Sequence, residues 1–323
     1  MSVTRMRVAI AGAWLSGVFV VALTATVVWA QCWGQEAKKS RYANARLLVD
    51  TQEVAAHLED VSMRLVDLRA KGAQGYAEYK KAHIPGAVYL NWEDLDDVAS
   101  NRKGVPMDQA KAEALFGKLG IDENTRVVAY DDSGGLLSAR LFFVLEFFGQ
   151  KNVAVLNGGL TKWVQEDRPL NTQEPKITPK KFVARPNPKL IATAEWVREN
   201  LKNPGVCLVD ARSRLEYEGK RTDPGKSEDP EIKRGGRIPG AVSIDWTSTI
   251  NPEDHTFKSA EELQKMFEKA GATKDREIVT YCRLGNRSAH NYFVARLLGY
   301  EKVRNYDGSW IDWGNRAELP VER

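Results

Sequence analysis

Residues 278–290 read Ile278-Val279-Thr280-Tyr281-Cys282-Arg283-Leu284-Gly285-Asn286-Arg287-Ser288-Ala289-His290. The first four form a β-type run, and beyond the cysteine Ala289, Phe293 and Leu297 recur at helical spacing. A strand that passes through a short turn into a helix is the building unit of a parallel sheet covered by helices. At such a junction unpaired N–H groups and the positive helix end stabilise a thiolate and bind an anion. Arg283 and Arg287 flank the thiol with further positive charge, so Cys282 is the candidate nucleophile. Cys207, in Val206-Cys207-Leu208-Val209, has apolar neighbours and reads as a small hydrophobe in a buried strand.

The same unit occurs earlier in the chain, offset by about 150 residues. Leu65-Val66-Asp67-Leu68-Arg69 returns as Leu208-Val209-Asp210-Ala211-Arg212, and His83-Ile84-Pro85-Gly86-Ala87-Val88 as Arg237-Ile238-Pro239-Gly240-Ala241-Val242. Val128-Ala129-Tyr130-Asp131 matches Val279-Thr280-Tyr281-Cys282; Gly149 and Gly299 end matching helices, and Gly158 with Trp163 answers Gly308 with Trp313. In the first copy β-type runs (Leu65–Asp67, Ala87–Leu90, Arg126–Tyr130, Val153–Leu156) alternate with helical segments at Thr51–Glu59 and Asp108–Leu119. Thr193–Leu201 and Ser259–Ala270 are the helical counterparts in the second. The predicted fold is α/β, with two tandem domains, each a mainly parallel sheet flanked by helices. In such sheets ligands bind at the carboxyl ends of the strands, which is where Tyr281-Cys282 falls.

The expected organisation is a leader over 1–30, a first domain over 45–170, a proline-bearing extended linker over 171–190 and a second domain over 191–318. Asp131 stands where Cys282 stands, and a carboxylate cannot act as a soft nucleophile. The first copy is therefore expected to be catalytically silent.

The chain has 323 residues and a formal charge of +4. Its lysines are scattered pairs rather than one basic block, so no nucleic-acid footprint is indicated. Arg5 and Arg7 precede an uncharged stretch from Val8 to Ala30 that has the layout of an export signal, with cleavage after Ala30 as the first choice. That stretch is also long enough to span a bilayer, so an uncleaved anchor is the alternative. Either way the folded part is expected outside the cytoplasm, in the periplasm or its equivalent, with membrane contact only through such an anchor. Three cysteines do not make an extensive disulfide framework, and Cys32 lies beside the cleavage point. The four histidines show no metal-ligand spacing, and neither Gly134-Gly135 nor Gly158-Gly159 fits a nucleotide loop, so no metal and no cofactor are expected. His290 reads as a residue on a helix surface, and Trp163, Trp310 and Trp313 as core or seam residues.

On the paired Ile-Pro-Gly-Ala turns, Val209-Asp210-Ala211-Arg212, Tyr281 with the Cys282–Arg287 loop, and Asp307-Gly308-Ser309-Trp310, the chain resembles a tandem-domain rhodanese, a thiosulfate sulfurtransferase. The resemblance covers roughly residues 45–318. It implies that Cys282 carries the sulfur, that Arg283, Leu284, Gly285, Asn286 and Arg287 form the substrate-holding loop, and that Arg212 walls the substrate anion. It implies small-molecule partners: thiosulfate as donor, cyanide or a thiol as acceptor. Two departures stand out. Arg237 replaces the histidine usual before the second Ile-Pro-Gly-Ala, and Glu216 occupies a position where some members place a substrate-binding arginine. The polar segment 219–236 reads as a solvated loop.

Three rivals follow from the same residues. A 3-mercaptopyruvate sulfurtransferase shares fold and cysteine, but two loop arginines suit a dianion better than a monocarboxylate. A cysteine phosphatase or arsenate reductase would need its arginine one position later, where Ser288 stands. A non-enzymatic sulfur-carrier or docking module is the third.

Overall fold

The computed structural model describes residues 42–69, 72–95, 106–222 and 229–323. The leader, Cys32 and the middle of the 219–236 segment lie outside the described residues. Among the described residues nine strands form two sheets: β1 Leu48–Val49, β2 Met63–Asp67, β3 Val88–Tyr89, β4 Arg126–Tyr130 and β5 Val153–Leu156, then β6 Val206–Asp210, β7 Val242–Ser243, β8 Glu277–Tyr281 and β9 Val303–Asn305. The first sheet runs in the order β1-β5-β4-β2-β3 and the second β7-β6-β8-β9, and every pairing is parallel. The register repeats as well, since Asp67 lies opposite Tyr130 and Asp210 opposite Tyr281.

That register explains the repeated Ile-Pro-Gly-Ala turns. The Ile84 N–H donates to the Tyr130 hydroxyl at 3.3 Å and the Ile238 N–H to the Tyr281 hydroxyl at 3.2 Å. Gly86 and Gly240 both turn the chain at positive φ, 78° and 76°, where a side chain would be strained. Each turn is thus pinned to the middle of its own sheet.

The helices are α1 Thr51–Ala56, α2 Gly72–Lys81, α3 Gln109–Lys118, α4 Leu136–Phe147, α5 Gly159–Gln165, α6 Ala194–Asn200, α7 Arg214–Tyr217, α8 Ala260–Lys269, α9 Asn286–Leu297 and α10 Ser309–Trp313. Side chains of Asp50, Asp108, Thr193 and Ser259 cap α1, α3, α6 and α8, each accepting from a backbone N–H three residues on. Residues 172–187 carry no regular secondary structure and a 3-10 turn follows at Pro188–Leu190, but the segment does not run free. Phe182 and Ala184 are buried, and Lys180, Arg185 and Asn187 hydrogen-bond through their backbones to Gly117, Phe148 and Phe147 of the first domain.

The two domains meet along α4 and α9. Phe142 meets Phe293 edge to face at 4.9 Å and Phe143 meets Tyr292 at 5.0 Å. Glu146 accepts from the Tyr292 hydroxyl at 2.7 Å and pairs with Arg296 at 2.9 Å. One apolar cluster runs from Leu47 through these helices to Val303, so the core is continuous across the seam.

His290 corrects its sequence reading. It is buried, not on a helix surface, because α9 packs on its own sheet on one side and on α4 on the other. Its Nε2 lies 3.1 Å from the Gly134 carbonyl of the first domain, and its ring stacks on Phe257. Burial pushes its pKa down to about 4, so the ring is held neutral with Nε2 donating. A histidine depressed in the fold opposes folding once it must take a proton: its full stability is present above the unfolded value of about 6.5 and is lost as pH falls toward 4. Between about pH 6.5 and 5 we expect the wild type to lose roughly 1.5–2 kcal/mol that His290→Gln does not lose. Urea melts across that range check this, and identical slopes in the two proteins would exclude His290 as the source.

Candidate active site

Strand β8 is fully buried from Ile278 to Tyr281 and delivers Cys282 at its carboxyl end, between Tyr281 and the start of α9. Three contacts fix the turn. The Cys282 N–H donates to Ser309 Oγ at 3.0 Å, and the Trp310 and Ile311 N–H groups bond the carbonyls of Cys282 and Arg283. Gly285 then reverses the chain at φ 98°, and its N–H donates to Cys282 Sγ at 3.2 Å. No other residue fits there easily, because a Cβ on Gly285 would lie 2.5 Å from Asp307 Oδ1. Leu284 packs against the second-domain core, and Asn286 opens α9 with a buried Oδ1 that has no hydrogen-bond partner.

The first copy shows what such a loop does with negative charge. Asp131 Oδ1 accepts from the N–H groups of Ser133 and Gly135, and Oδ2 from those of Leu137 and Ser138 and from the Ser138 hydroxyl, all within 3.0 Å. The loop and first turn of α4 thus close around a carboxylate as an anion nest. In the second copy the sulfur of Cys282 takes that place. Cys207, by contrast, sits in β6 where burial pushes its thiol up and keeps it protonated.

The arginines are arranged differently from the sequence expectation. Arg287 pairs bidentately with Glu216, at 2.7 and 2.9 Å, rather than pointing into free space. Burial raises the Glu216 carboxyl, yet the bonds and charge of Arg287 outweigh it and leave it below the usual carboxylate range. For Arg287 burial opposes the charged form, and Glu216 together with Cys282 more than restores it. Arg283 is held by Asp229 and, at 2.7 Å, by Glu231. Arg212 is buried, pairs with Asp210 at 2.6 Å, bonds the Gly236 carbonyl and lies over the Trp310 ring, so its guanidinium is committed to contacts within the second domain. All three guanidinium groups are compensated by carboxylates, and the backbone N–H groups of the loop and the α9 terminus add positive potential beside Cys282.

The described part of the 219–236 segment also departs from a solvated loop. Asp229 and Ile232 are buried, and the Arg234 guanidinium bonds the carbonyls of Trp313, Gly314, Arg316 and Leu319. Arg237, at the altered rim position, pairs with Glu322 and stacks on Tyr217. Glu216, Ser309 and Asp307 were not singled out as functional from the sequence. Ser309 carried a signal in its motif, but its contact with Cys282 spans 27 positions.

Two parallel-sheet domains, one with a cysteine at the turn from strand to helix and one with an acid in the same place, define a duplicated α/β architecture. The chain belongs to the rhodanese-like family: the Rhodanese-like domain matches it twice, at residues 50–166 and 193–316. It is 39% identical over 288 residues to the sulfur carrier protein TtuD of Thermus thermophilus, covering 87% of this chain and 98% of that one. It is 33% identical over 281 residues to a thiosulfate sulfurtransferase of Azotobacter vinelandii, covering 87% and 98%. In fold it matches the anaerobic ergothioneine biosynthesis enzyme of Chlorobium limicola, with a TM-score of 0.78 and 24% identity over 87% of this chain and 71% of that one.

Proposed function

We propose that the protein is a sulfurtransferase that carries sulfane sulfur as a persulfide on Cys282, with thiosulfate as donor. The observation that carries this reading is the Gly285 N–H on Cys282 Sγ at the mouth of α9, in a loop whose twin already encloses an anion. The Cys282 thiolate attacks the outer sulfur of thiosulfate, the S–S bond of the donor breaks and its electron pair leaves with sulfite. The loop N–H groups stabilise the resulting Cys–S–S⁻. Cyanide or a thiolate then takes the outer sulfur and returns the thiolate. Each step conserves charge and needs no proton donor.

The names of the relatives support sulfur transfer and leave two acceptor types in play, a small nucleophile or a protein thiol as for a sulfur carrier. With its arginines compensated, the site offers thiosulfate a weaker charge advantage over 3-mercaptopyruvate than the bare sequence suggests. Mass spectrometry after thiosulfate treatment tests the core of the reading: a gain of one sulfur atom confined to the Cys282 peptide, discharged by cyanide, is expected. An unmodified Cys282 peptide would remove the proposal. We also propose export, on Arg5, Arg7 and the uncharged stretch to Ala30. Fractionation with N-terminal sequencing checks it, and a full-length cytosolic protein would exclude it.

A further inference from the structure

Arg140 and His290 stand at the same place in α4 and α9, counted from the caps Gly135 and Gly285. His290 reaches the silent loop at Gly134. Arg140 reaches the back of the active one. Its guanidinium grips the Asp307 carboxylate through both nitrogens, Nη2 to Oδ2 at 3.1 Å, and both side chains are wholly buried. Asp307 also accepts from Asn305 Nδ2 at 2.8 Å and lies against the Cα of Gly285, whose N–H holds Cys282 Sγ.

A carboxylate immediately behind that loop opposes the chemistry in front of it. Unless its charge is cancelled, Asp307 repels the thiolate, the persulfide and any anionic donor, and a buried setting strengthens the repulsion. Three other arginines of the second domain have their carboxylate partners within that domain: Arg287 with Glu216, Arg283 with Asp229 and Glu231, Arg212 with Asp210. Asp307 is answered by a cation from the first domain.

We propose that Arg140 is a positioning residue for sulfur transfer: the silent domain supplies the charge that lets Asp307 brace Gly285 without disfavouring the anion on Cys282. This rests on the reading of Cys282 as the sulfur carrier.

The test measures the alkylation rate of Cys282 by iodoacetamide against pH, read on the Cys282 peptide, beside thiosulfate:cyanide turnover. In Arg140→Met the pH of half-maximal alkylation should rise by about one unit and turnover should fall roughly tenfold to a hundredfold. Arg140→Met/Asp307→Asn, which removes both charges, should return both readings to within a few-fold of wild type. Asp307→Asn alone removes the carboxylate behind the loop while keeping Arg140 and should lower the alkylation midpoint, so it decides the matter even where Arg140→Met does not fold. A role confined to holding the domains together predicts lower thermal stability with unshifted alkylation midpoints, and that result would overturn the proposal, as would a double variant as slow as the single one. Because iodoacetamide alkylates the thiolate with loss of iodide and involves no sulfur transfer, a shifted midpoint in a protein that forms no persulfide would separate failure of the sulfur-transfer reading from failure of this one.

Discussion

Cys282→Ser should lower sulfur transfer by at least about a thousandfold while leaving the thermal unfolding midpoint near that of wild type. The substitution is nearly isosteric, a serine Oγ can accept the Gly285 N–H that Cys282 Sγ accepts, and the backbone contacts of residue 282 to Ser309 and Trp310 are untouched. What is lost is the only described thiol at the carboxyl end of a strand, since Cys207 is sealed within β6. A serine hydroxyl is neither ionised at neutral pH nor able to hold a second sulfur. Steady-state turnover with thiosulfate and cyanide, alongside calorimetry, is the measurement. Activity retained within tenfold would mean that another group carries the sulfur.

The second large effect belongs to Arg287. Removing it leaves Glu216, with its side chain wholly buried, carrying an unpaired charge, which costs about 3–5 kcal/mol. Arg287→Ala should therefore lose stability of that order together with order in the loop. Turnover with thiosulfate and with 3-mercaptopyruvate should fall by similar factors, roughly a hundredfold each. Adding Glu216→Gln should recover most of the stability, because the neutral amide needs no counter-ion. The pairing has a pH signature too. The Glu216 carboxyl lies below its ordinary value in the fold, so its stabilisation is present above about pH 4.3 and is lost as pH falls through the lower folded value. Chemical denaturation of the single and double variants, with kcat/KM for both donors at fixed ionic strength, decides between clamp and selector. A selective loss with thiosulfate in a protein of unchanged stability would make Arg287 the anion-reading group that the sequence alone suggests.

What could be read from the sequence was local. Arg126–Tyr130 and Val153–Leu156 coincide with β4 and β5, and the helical segments beginning at Asp108, Thr193 and Ser259 open on the residues that cap them. These features rest on hydrophobic period and on a side chain meeting a backbone N–H three residues away. Duplication exposed the pairing of each tyrosine strand with an Ile-Pro-Gly-Ala turn, because the two motifs recur together in both halves. The partners of the arginines were out of reach for the opposite reason. Arg287 meets Glu216 across 71 positions, Arg283 meets Asp229 across 54 and Arg140 meets Asp307 across 167. Charge near a cysteine was legible, and its cancellation by distant carboxylates was not. His290 was misread because a single apolar stripe of Ala289, Phe293 and Leu297 left the rest of α9 looking solvent-facing, whereas a second helix covers it.

The loop of the first copy, from Asp131 to the cap Gly135, is one residue longer than that from Cys282 to Gly285. The added residue lets the chain arch over the carboxylate and donate to both of its oxygens. Exchanging Asp131 for cysteine would thus put a thiol into a ring of the wrong circumference, with N–H groups spaced for two acceptor atoms instead of one. A return to two working centres requires a deletion and a substitution together, and either change alone breaks the nest without making a nucleophile. The asymmetry between the halves thus rests on two linked differences, the acid and the longer arch, each fitted to the other.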